Sequence, residues 1–372
     1  MSLLDILKTV SAVMGVLTVL SVVVLSLTLL ERKFIGRIQM RRGPNRVGPF
    51  GILQPVADAV KLVAKEDILP SWVDRGVYWV SPLVVFVPTF MIWVTIPVAR
   101  DLVIRNMEMG LFYIIAFSVL SIVGLVSAGW ASANKYAVIG GFRAAAQLVS
   151  YEIPIILSVL AIAMLAQSLN LEKIVDAQAS LPYIFIQPLG AFLFFCAGLA
   201  ELGRTPFDIH PAESEVVGGP YVEYSGAHWS VFFLAEYINT FAIAALVTLL
   251  FLGGWLFPGL PGNVAVTGVL VFLIKTYMVV LVIFWFRGTY PRLRIDQLMT
   301  LGWKILVPLA FLNVVITAVA LFYGFPAIIL GLISISILIG TFWVISIRMR
   351  TAPKPVYTVR LYDPTLEVLD AR

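Results

Sequence analysis

The chain has 372 residues, 60% of them hydrophobic and 13% charged, with a mean hydropathy of +0.97. That balance excludes an ordinary water-soluble domain, because uncharged runs reaching the roughly 20 helical residues needed to cross a bilayer recur along the chain. The formal net charge is +5, and the one cysteine, Cys196, excludes a disulfide framework and any iron–sulfur or zinc site ligated by cysteines of this chain.

Nine transmembrane helices are predicted, at about 9–30, 77–97, 111–131, 150–168, 183–201, 229–251, 266–286, 305–323 and 327–347. Helices are the expected form, since lipid offers no water to satisfy backbone groups. Residues 305–347 carry no charge over 43 positions, too many for one crossing. The "YGFP" at 323–326 divides them, and "GGWLFPGLPGN" at 253–263 ends the sixth span in the same way. The first span reads as a membrane helix and not a cleaved signal, because "ERK" follows it directly.

Between the first two spans lies a long basic segment, 31–76. Its "RRGPNRVGPFG" (41–51) is rich in turn residues. The "GILQPVADAVKLVAKEDI" that follows places Leu53, Val56, Val60 and Val63 at three- and four-residue steps. That spacing predicts an amphipathic helix lying at the interface, with Pro55 in its first turn. Lys and Arg concentrate on one side: 21 of the 26 fall in alternate loops and the C-terminal tail. The bias predicts an N-terminus outside and a C-terminus in the cytoplasm. The expected organisation is one helical membrane domain, 1–347, with inner loops 31–76, 132–150, 202–228 and 287–304, followed by a basic cytoplasmic tail, 348–372. No glycine-rich nucleotide fingerprint is present, and the positive charge reads as a membrane-orientation signal, so no nucleic-acid partner is expected.

The acids are placed unevenly. Six of them, Glu201, Asp208, Glu213, Glu215, Glu223 and Glu236, fall between the fifth and sixth spans or just inside them, with one cation, Arg204, and both histidines, His210 and His228. Glu236 lies about two turns inside its span, a depth at which an acid faces a polar cavity or a partner. Lys275 lies near the middle of the seventh span, too far for easy snorkelling, so an interior partner is expected, with Glu236 as a candidate. Closely placed carboxylates cannot all ionise, so the group is expected to hold and exchange protons. Two histidines without ligand spacing are a weak metal signal, and no metal site is expected. Arg287, Arg292, Arg294 and Asp296 precede the eighth span; their expected partners are the acids of 201–223 or Glu31.

These residues together resemble a known family. The stretches "ERKFIGRIQMRRGPNRVGPFGILQPVADAVKLVAKEDILP" (31–70), "AGWASANKYAVIGGFRAAAQLVSYEIP" (128–154), "AELGRTPFD" (200–208), "EYSG" (223–226), "AEYIN" (235–239) and "FRGTYPRLRIDQLMTLGWK" (286–304) are similar to the quinone-site membrane subunit of proton-pumping NADH:quinone oxidoreductase, respiratory complex I. The resemblance implies an all-α polytopic protein of the cell's inner (plasma) membrane. It would be one component of a quinone-reducing translocase and not catalytic alone, partnered by further membrane and peripheral subunits. Quinone would be the substrate, with iron–sulfur clusters and flavin on the partners. It implies a funnel of acids formed by Glu201, Asp208, Glu213, Glu215, Glu223 and Glu236, with Lys275 on the same proton path. It also implies a quinone cavity bordered by Glu31, Arg32, Arg37, Arg41, Arg46, Asp58 and Lys61, with Arg287, Arg294 and Asp296 facing the acids. One departure stands out: "FDIHPAESE" has Pro211 where the family commonly carries another carboxylate, with His210 before it.

Two other classes fit part of the pattern. A secondary ion transporter also places carboxylates and a lysine at mid-depth, but usually shows internal repeats and broken helices around a substrate site, and neither is read in this sequence. The paralogous membrane subunit of energy-converting hydrogenases lacks a quinone site, and the full "GPNRVGPFGILQPVADAVK" favours the quinone enzyme.

Overall fold

A computed structural model of the chain describes residues 3–209, 212–257 and 265–351. The described residues form fourteen α-helices and no strand longer than an isolated bridge. Helix α1 (Leu3–Ile38) runs well past the apolar stretch that predicts it, carrying Glu31 and Arg37 on its last turns. The amphipathic α2 (Gln54–Ala64) follows, with Leu53, Val56, Val60 and Val63 all exposed along one side. Next come α3 (Arg75–Met91) and α4 (Gly110–Ala131), the former capped by Asp74, whose carboxylate accepts from the Gly76 amide at 3.1 Å. Asn134 caps α5 (Lys135–Ala166) in the same way, accepting from the Tyr136 amide at 3.0 Å. Most of segment 132–150 is therefore helix. Its charges, Lys135 and Arg143, sit on a helix that continues past the apolar span, which hydropathy alone does not reveal.

The short α6 (Leu171–Ala177) and α7 (Tyr183–Ile186) precede α8 (Pro188–Glu201), and the one-turn α9 (Glu213–Val216) precedes α10 (Gly226–Phe251). Then come α11 (Ala265–Thr289), α12 (Ile295–Leu301), a π-helical turn at Gly302–Leu306, α13 (Val307–Phe322) and α14 (Ala327–Thr351). Eight helical stretches among the described residues are long and apolar enough to cross a membrane, and α8 is a shorter apolar helix of 14 residues. The fifth span, expected at 183–201, is thus a broken one. Gln187 leaves helical geometry (φ −137°, ψ 61°), and Pro188, which has no N–H to continue the ladder, starts a new helix.

Helix α10 is the centre of the bundle, with 72% of its apolar window buried. Phe241, Leu249, Leu250 and Phe251 are within the main core. Close approach elsewhere depends on missing side chains. A Cβ on Gly129 of α4 would lie 2.6 Å from the Ala137 carbonyl of α5, and one on Gly140 of α5 would lie 2.4 Å from the Gly219 Cα. The second contact seats the loop 217–224 on α5 beside α10.

Candidate functional site

Two helix ends and a loop meet at one side of the bundle. Glu31 of α1, Arg204 just after α8, Tyr237 of α10 and Arg287 near the end of α11 form a buried cluster. Glu31 is 4% exposed and Arg204 is 3% exposed. Arg204 Nη1 donates to Glu31 Oε1 at 3.4 Å, Arg287 Nη1 donates to the same oxygen, and the Tyr237 hydroxyl donates to Oε2 at 2.7 Å. The Arg204 guanidinium lies 4.7 Å from the centre of the Tyr237 ring, and its Nε stands 3.2 Å from Glu236 Oε1. Burial disfavours the charge on Arg204, but the carboxylates of Glu236 and Glu31 outweigh it and hold the guanidinium even more firmly protonated than usual. One arginine therefore joins a carboxylate of α1 to the mid-helix carboxylate of α10.

Behind Glu236 lies a polar cavity of about 50 Å³, with Glu152, Glu201, Glu236, Ser118, Tyr221 and Asn239 among its walls. A second space of about 30 Å³ adjoins it, sharing Ser118, Glu201 and Asn239 and continuing between apolar residues of α4, α5 and α10. A buried water needs roughly 10–15 Å³ and several polar partners, so the first cavity has room for a few waters among three carboxylates. Tyr221 closes the loop side. Burial, then the nearby Glu236 carboxylate, raises its phenol well above the ordinary range, so it remains a proton donor.

The structure brings Glu201 and Glu236 together here and adds Glu152, which sequence reasoning missed. Glu152 lies beside Pro154 at the predicted edge of a span, and an acid inside a helix that runs on through that edge was its signal. Ser118 donates to it at 3.4 Å. Asp208, Glu215 and Glu223 line neither cavity and find partners on this side. Asp208 meets Arg292 at 2.7 Å, Glu215 meets Arg143, and Glu223 accepts from Asn134 Nδ2 at 2.8 Å. His210, Pro211 and the side chain of Glu213 lie outside the described residues, as does most of the tail 348–372. The second histidine, His228, sits 2.5 Å from Asp67.

The cation-rich positions divide in the same manner. Asp58 pairs with Arg32 and stands 3.8 Å from Lys61, joining α1 to α2. Burial pushes the Asp58 carboxyl up, but hydrogen bonds from Arg32 and Gln54 and the nearby positive charges outweigh it and hold it below its ordinary value. Arg37, Arg41 and Arg46 are exposed at and beyond the end of α1, and Arg294 and Asp296 are exposed at the start of α12. None of those five forms an ion pair among the described residues. Arg287 and Arg292 do find the partners expected for that loop, Glu31 and Asp208.

Lys275 does not meet Glu236. Its ammonium donates to the carbonyls of Leu252, Gly254 and Leu256 at 2.7, 3.1 and 2.6 Å, just beyond the far end of α10 from the acids. The reason is local: α10 stops at Phe251 and the chain turns back through Gly253 and Gly254, both with positive φ, presenting carbonyls that no helix satisfies. The lysine supplies their donors, and so it stands apart from the acid cavity.

Sequence comparison identifies the family. The sequence model of the family described as NADH dehydrogenase matches residues 11–318. A protein of Dehalococcoides mccartyi is 49% identical over 289 residues, covering 78% of this chain and 80% of its own length. One from Geobacillus kaustophilus is 51% identical over 292 residues (78% and 87%), and one from Brevibacillus brevis is 47% identical over 293 (79% and 87%). All three are named as the H subunit of NADH-quinone oxidoreductase. With most of its length matched and its acids and arginines gathered at one side of a helical bundle, the chain belongs to the H-subunit family of NADH-quinone oxidoreductase, the multi-pass membrane subunits of complex I.

Proposed function

We propose that this subunit forms part of the wall and the mouth of a quinone cavity, and couples quinone reduction to proton translocation through the carboxylates around Arg204. The single observation that carries the reading is the continuous link from Glu31 through Arg204 to Glu236 and on to the cavity shared with Glu201 and Glu152. The quinone is substrate: its reduction to quinol takes two electrons and two protons. Iron–sulfur clusters and flavin on partner subunits supply the electrons, consistent with a chain whose sole cysteine, Cys196, lies within α8.

Charge changes at the quinone bear on Glu31, Arg287 and Arg32, which sit at the ends of α1 and α11 beside the amphipathic α2. A buried arginine held between two carboxylates passes that change on, because a shift at Glu31 alters what Arg204 offers Glu236. Glu236, Glu201 and Glu152 then redistribute their protons over cavity waters, as coupled carboxylates do. Arg37, Arg41, Arg46, Lys61, Arg294 and Asp296 fit a rim that meets the quinone headgroup region and the peripheral subunits. The acids of the loop, with Asp208 and Glu215 paired to arginines and Glu223 hydrogen-bonded by Asn134, brace the funnel around the cavity. The Lys and Arg bias supports a cytoplasmic position for this side and an N-terminus outside, and the bacterial relatives support the plasma membrane.

The test is substitution of the cavity acids in the assembled complex. Glu152→Gln, Glu201→Gln and Glu236→Gln are each expected to lower quinone-dependent proton translocation by at least about fivefold, the lower end of ordinary site-to-site coupling. Reduction of a soluble acceptor by the peripheral arm should be unchanged. Full pumping in an assembled triple variant would end the proposal.

A further inference from the structure

One buried amide stands at the acid site without sharing in its charges. Gln147 of α5 is 2% exposed. Its Nε2 donates two hydrogen bonds, to the Ala200 carbonyl at 2.7 Å and to the Phe207 carbonyl at 2.8 Å. Ala200 is in the last turn of α8, and Phe207 closes the turn that follows. Between these two anchors stand Glu201, a wall of the cavity, and Arg204, the bridge from Glu31 to Glu236. A single side chain therefore staples both ends of the segment that carries them.

The other bonds of this segment are mostly internal. Gly203 turns with φ +60° and its amide donates to the Ala200 carbonyl at 3.1 Å. The Arg204 amide donates to the Leu199 carbonyl at 3.3 Å, and the Phe207 amide to the Arg204 carbonyl at 2.8 Å. Such bonds fix the shape of the turn and not its place. Among the described residues, its backbone is tied to elements other than α8 by Gln147 and by the Leu293 amide, which donates to the Pro206 carbonyl at 3.0 Å.

Distances at Arg204 make that place matter. Its contacts with Glu31 at 3.4 Å and with Glu236 at 3.2 Å are near the outer limit of a hydrogen bond. A shift of the turn by about 0.5 Å away from the acids parts them. Glu152 is on the same helix as Gln147, so the staple also sets Glu201 and Arg204 relative to the third cavity acid. Space filling does not account for an amide here. The Oε1 of Gln147 is buried with no partner among the described residues. An apolar side chain of similar shape carries no such cost. The use of the amide lies in what its nitrogen donates.

We infer that Gln147 is a positioning residue for proton coupling: its two hydrogen bonds hold the 201–207 turn so that Arg204 spans Glu31 and Glu236 while Glu201 lines the cavity. The inference rests on the coupling role proposed above for those acids, and adds the side chain that sets their spacing.

The test uses the assembled complex in proteoliposomes. Proton translocation and the infrared difference spectrum of quinone reduction are measured on wild type, Gln147→Met, Gln147→Asn and Glu236→Gln. The first variant fills the space and donates nothing, and the second is one methylene too short to hold both carbonyls. One neutral hydrogen bond weights the seated turn by about fivefold. Translocation per assembled complex is therefore expected to fall by at least about fivefold in Gln147→Met, and by less in Gln147→Asn. The carboxyl C=O bands should weaken relative to the quinone bands in both. A loss of intact complex scales all bands together, so a merely structural role leaves that ratio unmoved. Wild-type translocation in Gln147→Met overturns the inference, and so does lowered translocation with an unchanged band ratio. Glu236→Gln separates this result from the coupling role beneath it. Where Glu236→Gln loses translocation and Gln147→Met keeps it, the inference alone falls. Where Glu236→Gln keeps translocation and band ratio, the coupling role falls and the inference falls with it. Gln147→Asn, which retains an amide in the core, decides the matter where Gln147→Met does not assemble: translocation and a band ratio equal to wild type in it overturn the inference.

Discussion

Arg204 shows how much one side chain carries at this site. It is almost wholly buried between Glu31 and Glu236 and against the Tyr237 ring. Replacing it with Met would leave Glu236 without its cation and Glu31 with Arg287 alone. Removing one partner from a buried ionic group costs about 3–5 kcal/mol, so Arg204→Met should lower the melting temperature of the complex and abolish quinone reductase activity. Arg204→Lys is expected to recover little, because a lysine offers a point charge where a planar fork spans two acids. Thermal unfolding and quinone reduction, measured on both variants, check this. Asp58 behaves differently. Its carboxyl lies below the ordinary value of 3.8, so what it contributes to stability is complete above that value and is lost only as pH falls through the lowered one. The clasp between α1 and α2 is therefore constant across the physiological range.

At the scale of elements, the loop 217–224 depends on α5 for its seat. Gly140 touches Gly219 and Pro220 so closely that any side chain would push the loop outward. Gly140→Ala is expected to cost about 1–3 kcal/mol through overpacking and to displace Tyr221 from the cavity wall. A lowered melting temperature together with reduced pumping per quinone would bear this out, whereas a change in stability alone would separate the loop's seat from the acids. The elements also mark where sequence reading worked. Long uncharged runs are read directly from hydropathy, and the amphipathic spacing of 53–63 gives α2. The break at Gln187 left little trace, because an uncharged glutamine next to a proline barely lowers the apolarity of the run. The partner of Lys275 left none, since backbone carbonyls have no letter in the sequence. Glu201 and Glu236 were legible as acids in an apolar setting, while for Arg287 the sequence left Glu31 and the acids of 201–223 as alternatives. Glu152 needed the knowledge that α5 runs unbroken from Lys135.

Across the whole molecule, the matched family region ends at residue 318, before α14 begins. That last helix packs on α7, α8 and α13, with Gly331 set against the Phe185 carbonyl and Phe342 meeting Phe192 edge to face. None of its described residues lines the acid cavity. A chain ending after Gly324 is therefore expected to assemble and keep quinone reduction and pumping, with a lower melting temperature from exposure of Phe192 on α8. Activity and thermal unfolding of the truncated complex measure both halves of that expectation.

The depth of the three cavity acids has one more outcome. On the proposed reading, Glu152, Glu201 and Glu236 hold protons within the membrane-spanning bundle, so a proton arriving from either bulk phase would cross part of the transmembrane voltage before it binds. Moving one charge across the full field is worth about 2.3 kcal/mol per 100 mV, and these sites feel their share of it. If these acids carry the proposed coupling, an energised membrane would therefore act back on this subunit as a brake.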